Sequence, residues 1–167
     1  MLGLLLTVAI ASLGPGAQAS APCRDTHVRG DAVREARAVR CLINRERARH
    51  DLPSVRREVH LERAAAAYSR LMVRRRFFDH VGPDGSTPTS RVRAAGYRGP
   101  GVGETLAWGT GSSGDAAGTV DRWLHSPGHR AILLSRDMRA IGVGVAHGSP
   151  DSRYRGGETV TADFGTR

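Results

Sequence analysis

Helical periodicity fills the first half of this 167-residue chain and strand-like alternation comes later, an order that limits the folds open to it. In "DAVREARAVRCLINRERARH" the small and apolar side chains recur at Val33, Ala36, Val39 or Arg40, Ile43 and Ala48, with Asp31 placed to cap. A first helix is predicted over residues 31–50. After a Pro-containing turn, Val59, Leu61, Ala65, Tyr68, Leu71 and Met72 give a broad apolar face to a second helix from about Arg57 to Arg75. Phe77 and Phe78 are expected to anchor its end in the core and so fix the angle at which His80 leaves. "GSTPTSRVRAAGY" reads as a short capped helix with Pro88 in its first turn and Gly96 as its stop. "VGETLAWG" alternates as a strand, residues 115–125 read as a helix, and Ser126 and Pro127 open another short one in "SPGHRAILL". "AIGVGVAHG" and "ETVTADFG", joined by "SPDSRYRGG", have the pattern of an antiparallel pair. Helices first and strands last argue for an α+β domain with helices packed on a small, mostly antiparallel sheet.

The N-terminal stretch "MLGLLLTVAIASLGPGAQA" joins an apolar run to a Gly/Pro break and a small-residue triplet, so residues 1–19 read as a signal peptide cleaved before Ser20, though no Lys or Arg precedes the run. Residues 20–32 form an N-terminal segment and 33–167 a single domain, and no other stretch is apolar enough to cross a bilayer. An even cysteine count in an exported chain predicts a Cys23–Cys41 disulfide, and the absence of C-x-x-C spacing argues against a zinc knuckle. All 25 basic residues are arginine, which points to coding bias more than to selected phosphate contacts, and no aromatic stacking platform accompanies them. The net charge of +9 therefore predicts peripheral attraction to anionic surfaces, without specific nucleic-acid binding, by a monomer.

Three segments carry the chemistry: "FFDHVGPDG", "VGETLAWG" and "HSPGHRAILL", with His80, Glu104 and His129. Two neutral imidazoles beside a carboxylate bind a divalent metal such as zinc, the carboxylate acting as ligand, as orienter of a ligand or as base for a bound water. Two imidazole ligands make a weak, exchangeable site at His80 and His129. The spacing is not H-E-x-x-H, and no G-x-S-x-G elbow or phosphate-cradling loop is present. Plainer readings stand beside this one. His80 can cap the preceding helix, Glu104 can pair with an arginine, and His129 can close a local loop. His125 and His147 read as solvated; Trp108 and Trp123 read as core, with Trp108 near enough to Glu104 to wall a cleft.

The compound pattern F-x-H-x-x-P-D-G, then G-E, then W-x-x-S-P-G-H-R, together with "CLINRERARHDLPSV" and "VTADFG", resembles the bacterial CAP superfamily, also called SCP-like extracellular proteins, over about residues 33–165. The resemblance implies a three-layer α-β-α sandwich, secretion and a cleft in which His80, Glu104 and His129 face one another. Thr105 stands where the family commonly has Asn, and Ser126 where its eukaryotic members carry a second acid. The function implied is a cleft that takes a metal and a small or extended ligand, a lipid, glycan or peptide. The alternatives are a metal-assisted hydrolase with Glu104 as base, or a non-catalytic interaction protein of the cell envelope.

Overall fold

The computed structural model describes residues 22–166, so the expected signal peptide lies outside the described residues. Five α-helices are present: α1 (Ala32–Arg49), α2 (Val59–Arg75), α3 (Pro88–Ala94), α4 (Ala116–His125) and α5 (Pro127–Leu133). Four strands, β1 (Arg56–Arg57), β2 (Val102–Gly109), β3 (Met138–His147) and β4 (Glu158–Thr166), form one sheet in the order β1-β3-β4-β2. The β3–β4 and β2–β4 pairs are antiparallel, as expected, whereas the short β1 pairs parallel to β3. Two arginines carry no strand signal of their own; β1 exists because the chain passes the open edge of β3 on its way into α2. The sheet is sandwiched, with α1, α4 and α5 on one face and α2 and α3 on the other, which is the α-β-α sandwich the family pattern implies.

Alternation along β3 builds both faces at once. Ile141, Val143 and Val145 point into the larger core with Ala38, Val39, Leu42 and Ile43 of α1 and Trp123 of α4. The residues between them are Gly142 and Gly144, where any Cβ would collide with the α2 backbone at Glu62 and Ala66. Helix α2 answers with its own small residues, Ala64 and Ala65, so helix and strand approach almost backbone to backbone.

Asp31 caps α1 as the sequence suggests, accepting hydrogen bonds from the amides of Val33 and Arg34 at 3.1 and 3.0 Å. The buried stripe of α1 is rotated from the expected one, however. Val33 is 60% exposed and Ala48 is exposed, while Glu35, Ala38, Leu42 and Arg47 are buried beside Val39 and Ile43. A buried glutamate and arginine mislead any apolar count; both are buried because the fold gives them polar partners. The Cys23–Cys41 disulfide is present and ties the N-terminal segment to α1. Across its sequence separation of 18 residues, the loop-entropy account assigns it about 3 kcal/mol.

Candidate functional site

Helix α2 ends at Arg76 in the left-handed region, φ 57°, and its backbone amide closes onto Met72. The end is anchored by Phe77 alone, half-buried and edge-on to Tyr68 with ring centroids 6.0 Å apart; Phe78 is 45% exposed. The paired-phenylalanine anchor expected from the sequence is thus one residue, because the left-handed cap turns the second ring out to solvent. Tyr68 also holds the next turn, donating from its hydroxyl to the carbonyl of Asp79 at 2.7 Å, and the Asp79 side chain accepts from the amide of Val81 at 2.9 Å. His80 is fixed between these two contacts and does not cap α2.

The centre of the site is Glu104, buried on β2 and held by two donors. His80 Nδ1 lies 2.7 Å from Oε1 and Arg91 Nη2 2.6 Å from Oε2. The expected histidine partner and the plainer arginine pairing are both realised, one on each oxygen. Arg91 comes from α3, whose start is fixed by a capping box between Thr87 and Ser90. Its Nη1 donates to the carbonyls of His80 and Ser86 at 3.0 and 2.9 Å, and its guanidinium lies 3.3 Å from the centre of the Tyr68 ring. One arginine therefore neutralises Glu104, holds the His80 backbone and stacks on the tyrosine that orders the same loop.

When His80 is neutral, the Glu104 carboxylate holds its proton on Nδ1 and leaves the Nε2 lone pair free, on a side chain that is 49% exposed. The bond to Glu104 raises the pKa of His80 above the ordinary histidine value, against a smaller opposing effect of burial. His129 is carried on α5, the element just past Ser126, whose side chain makes no cap hydrogen bond. The His129 ring is half-buried and closes no local hydrogen bond; burial first, and the charge of His80 second, lower its pKa. His129 thus senses the charge of His80, whose ring is held against Glu104.

A second acid stands beside Glu104, supplied by β4. Asp163 is the cross-strand neighbour of Glu104 in the β2–β4 register and is 1% exposed. Neither of its oxygens receives a hydrogen bond. Burial first and the Glu104 charge second hold its pKa well above the usual 3.8, which favours the protonated carboxyl. Raised above its unfolded value, such a group gives its full stabilisation only below about pH 3.8, and loses it progressively as pH rises. Asp163→Asn keeps a donor without the titration. It is expected to be more stable than the wild type at pH 7 and equally stable near pH 3, as urea midpoints at the two pH values will show.

Of the residues named from the sequence, His80 is hydrogen-bonded to Glu104, and the structure adds Arg91, Asp163 and Tyr68, which sequence reasoning missed. An acid inside the apolar alternation of "VTADFG" was the available signal for Asp163; nothing in "TSRVRAAGY" distinguishes Arg91 from its neighbour Arg93. Trp123 is core, and Trp108, half-buried against Tyr154 at 5.2 Å, faces the same side of the sheet as Glu104. His125 is largely exposed, as expected.

His147 is exposed, as expected, and it also stands beside two buried acids. Among the described residues, Glu35, His147 and Glu158 form a His/Glu group whose ligand atoms all lie within 4.8 Å of one another. His80, Glu104 and His129 form no such group among the described residues.

The sequence profile of the cysteine-rich secretory protein (CAP) family matches residues 41–164. The uncharacterised Bacillus subtilis protein YkwD is 30% identical over 103 residues, 62% of this chain and 39% of that protein. A crystal structure of an extracellular protein with an SCP domain from Bacillus anthracis superposes at a TM-score of 0.72 and 25% identity, covering 81% of this chain and 41% of the other. An outer surface protein from Borrelia burgdorferi superposes at 0.66 and 23% identity, over 77% of this chain and 90% of that one. The chain spans well under half the length of the Bacillus proteins it resembles.

Proposed function

The chain belongs to the cysteine-rich secretory protein (CAP) family, and from that premise we propose that it is a secreted binding module whose His80–Glu104–His129 cleft takes a weakly held divalent ion, zinc in particular, and a small or extended ligand such as a lipid, glycan or peptide. The observation that carries this reading is the 2.7 Å contact of His80 Nδ1 with Glu104. A carboxylate that accepts from one imidazole nitrogen orients the ring and raises the basicity of the other, which is how histidine ligands to metals are commonly supported. His129 adds a second imidazole, kept neutral by burial and free of competing hydrogen bonds. Glu104 itself has no oxygen to spare. The set fits a two-imidazole, exchangeable ion and does not fit the three or four protein ligands of a catalytic or structural zinc. The same engagement weakens the case for Glu104 as the base of a hydrolase, because a carboxylate held by Arg91 at 2.6 Å is poorly placed to accept a proton.

The disulfide and the extracellular and outer-surface relatives support export. The arginine-rich surface supports peripheral attraction to an anionic envelope, screened at moderate salt.

The test is a zinc titration by calorimetry at pH 7.5 on protein without a histidine tag. His80→Ala and His129→Ala are each expected to reduce the number of bound ions by one relative to the wild type. Unchanged stoichiometry in both variants sinks the metal reading. Since His80 must give up its Nε2 proton to a metal, and its pKa is raised, the affinity of this site is also expected to fall as pH drops from 7.5 to 6.

A further inference from the structure

On the opposite face of the sheet, far from Glu104 in the strand register, the base of the β3–β4 hairpin meets the first turn of α1. His147 and Glu158 are direct cross-strand partners, the last residue of β3 and the first of β4. Their side chains leave the sheet on the α1 side, in line with Val145 and Val160 of the larger core. Glu35 enters from α1 on that side and is 1% exposed. His147 Nδ1 is 3.9 Å from Glu158 Oε1, and one ligand atom from each of the three residues falls within 4.8 Å of the others.

From this juxtaposition we propose that Glu35, His147 and Glu158 form a second divalent-cation site, of the zinc class, independent of the His80 cleft. Three observations carry it. The first is donor chemistry: one imidazole and two carboxylates are a ligand set that zinc accepts, with the fourth position left to water. Ligand bonds of about 2.0–2.2 Å at tetrahedral angles hold donors about 3.3–3.6 Å apart. His147 has a 44% exposed side chain and can rotate to close the difference. The second is an unmet demand. Glu158 is 6% exposed, its Oε2 is buried with no hydrogen-bond partner, and that oxygen is packed 2.8 Å from where a Gly114 Cβ would stand. Glu35, by contrast, spends one oxygen on the amide of Asp31 at 3.1 Å, which fixes its carboxylate in place.

The third observation is charge. Two acids, Glu35 and Glu158, are buried together at 1% and 6% exposure. The nearby Asp115 is already committed, to the amide of Gly118 at 2.8 Å and to His27 Nδ1 at 2.9 Å. Among the described residues neither Arg29 nor His147 makes a hydrogen bond to Glu158, His147 Nδ1 standing 3.9 Å from its Oε1. A divalent ion balances two buried carboxylates in one step and gives the Glu158 carboxylate the partner it lacks. The exposed His147 face gives the ion its way in.

The site ties α1 to the β3–β4 hairpin next to the N-terminal segment that the disulfide holds, so metal binding there stabilises the folded chain. The experiment uses untagged protein carrying His80→Ala and His129→Ala, which removes the cleft site. In that background zinc alone is expected to bind at one ion per chain and to raise the melting temperature. Adding His147→Ala, at an exposed position that leaves the core intact, is expected to weaken binding at least ten-fold and abolish the thermal shift; Glu158→Gln, isosteric, is expected to do the same. No zinc binding in the double variant, or binding that survives both further substitutions, overturns the proposal. Loss of the cleft site leaves this result untouched, so the two readings fail separately.

Discussion

Arg47→Leu is expected to cost about 3–5 kcal/mol of folding stability, read as a fall in the urea midpoint at unchanged slope. Arg47 sits in the last turn of α1 and is 0% exposed, yet no carboxylate pairs with it. Its guanidinium is spent on four backbone carbonyls. Nε donates to Pro53 at 2.9 Å, Nη1 to Leu133 at 2.6 Å and Ser135 at 3.0 Å, and Nη2 to Met138 at 3.1 Å. Burial, and then the neighbouring Arg139, push its pKa down, but a guanidinium keeps its charge in proteins. Charge-assisted hydrogen bonds contribute about 1.5–3 kcal/mol each. The bond to Leu133 is fully buried, while the other three are partly reachable by water, which brings the total down to the stated range. Against the roughly 5–15 kcal/mol of an ordinary domain, that is a large fraction. Arg47→Lys has too few donors and the wrong fork to reach four carbonyls and is expected to recover less than half of the loss. A wild-type midpoint for Arg47→Leu would show that these carbonyls are satisfied in some other way.

The same residue shows why part of the fold was hidden in the sequence. Periodicity places every α-helix to within about two residues, because apolar spacing, Asp31, Thr87, Pro88 and Pro127 act locally. It placed the buried face of α1 incorrectly because Arg47 looks like a surface residue until distant carbonyls are brought to it, and Glu35 until its carboxylate is seen to accept from the Asp31 amide. The short β1 was equally invisible: two arginines become a strand only when the edge of β3 is there to pair with.

The candidate site divides along the same line. His80, Glu104 and His129 are marked by short motifs with their own turn chemistry, and those were legible. Arg91 and Asp163 reach Glu104 through tertiary register, the first from a separate helix and the second across the β2–β4 ladder. His147 was read as solvated because its partners lie on β4, directly opposite, and on α1, at the other end of the chain. In each case the missing information is a contact distant in sequence, and local patterning cannot supply it.

Glu104→Ala is expected to be the most damaging substitution in the cleft, costing about 3–5 kcal/mol, because it removes one partner of a buried ion pair and leaves the other behind. The Arg91 side chain is 11% exposed and the Glu104 side chain 2%, so neither is well rehydrated when its partner goes. Glu104→Gln is expected to be milder, for a reason specific to this site. Burial and the Glu104 charge raise the Asp163 pKa, while Arg91 pulls it in the opposite direction. Once Glu104 is neutral, Arg91 is the strongest charge acting on Asp163, and the aspartate can ionise and take over as its counter-ion. The consequence is a change of sign. Asp163→Asn stabilises the wild type at pH 7 by removing a carboxyl that must hold its proton, but in the Glu104→Gln background it removes the remaining counter-charge for Arg91 and destabilises. A double-mutant cycle on urea midpoints at pH 7 measures this directly. Equal effects of Asp163→Asn in both backgrounds would mean that the two acids do not share Arg91, and that the buried aspartate is a passive neighbour of the cleft.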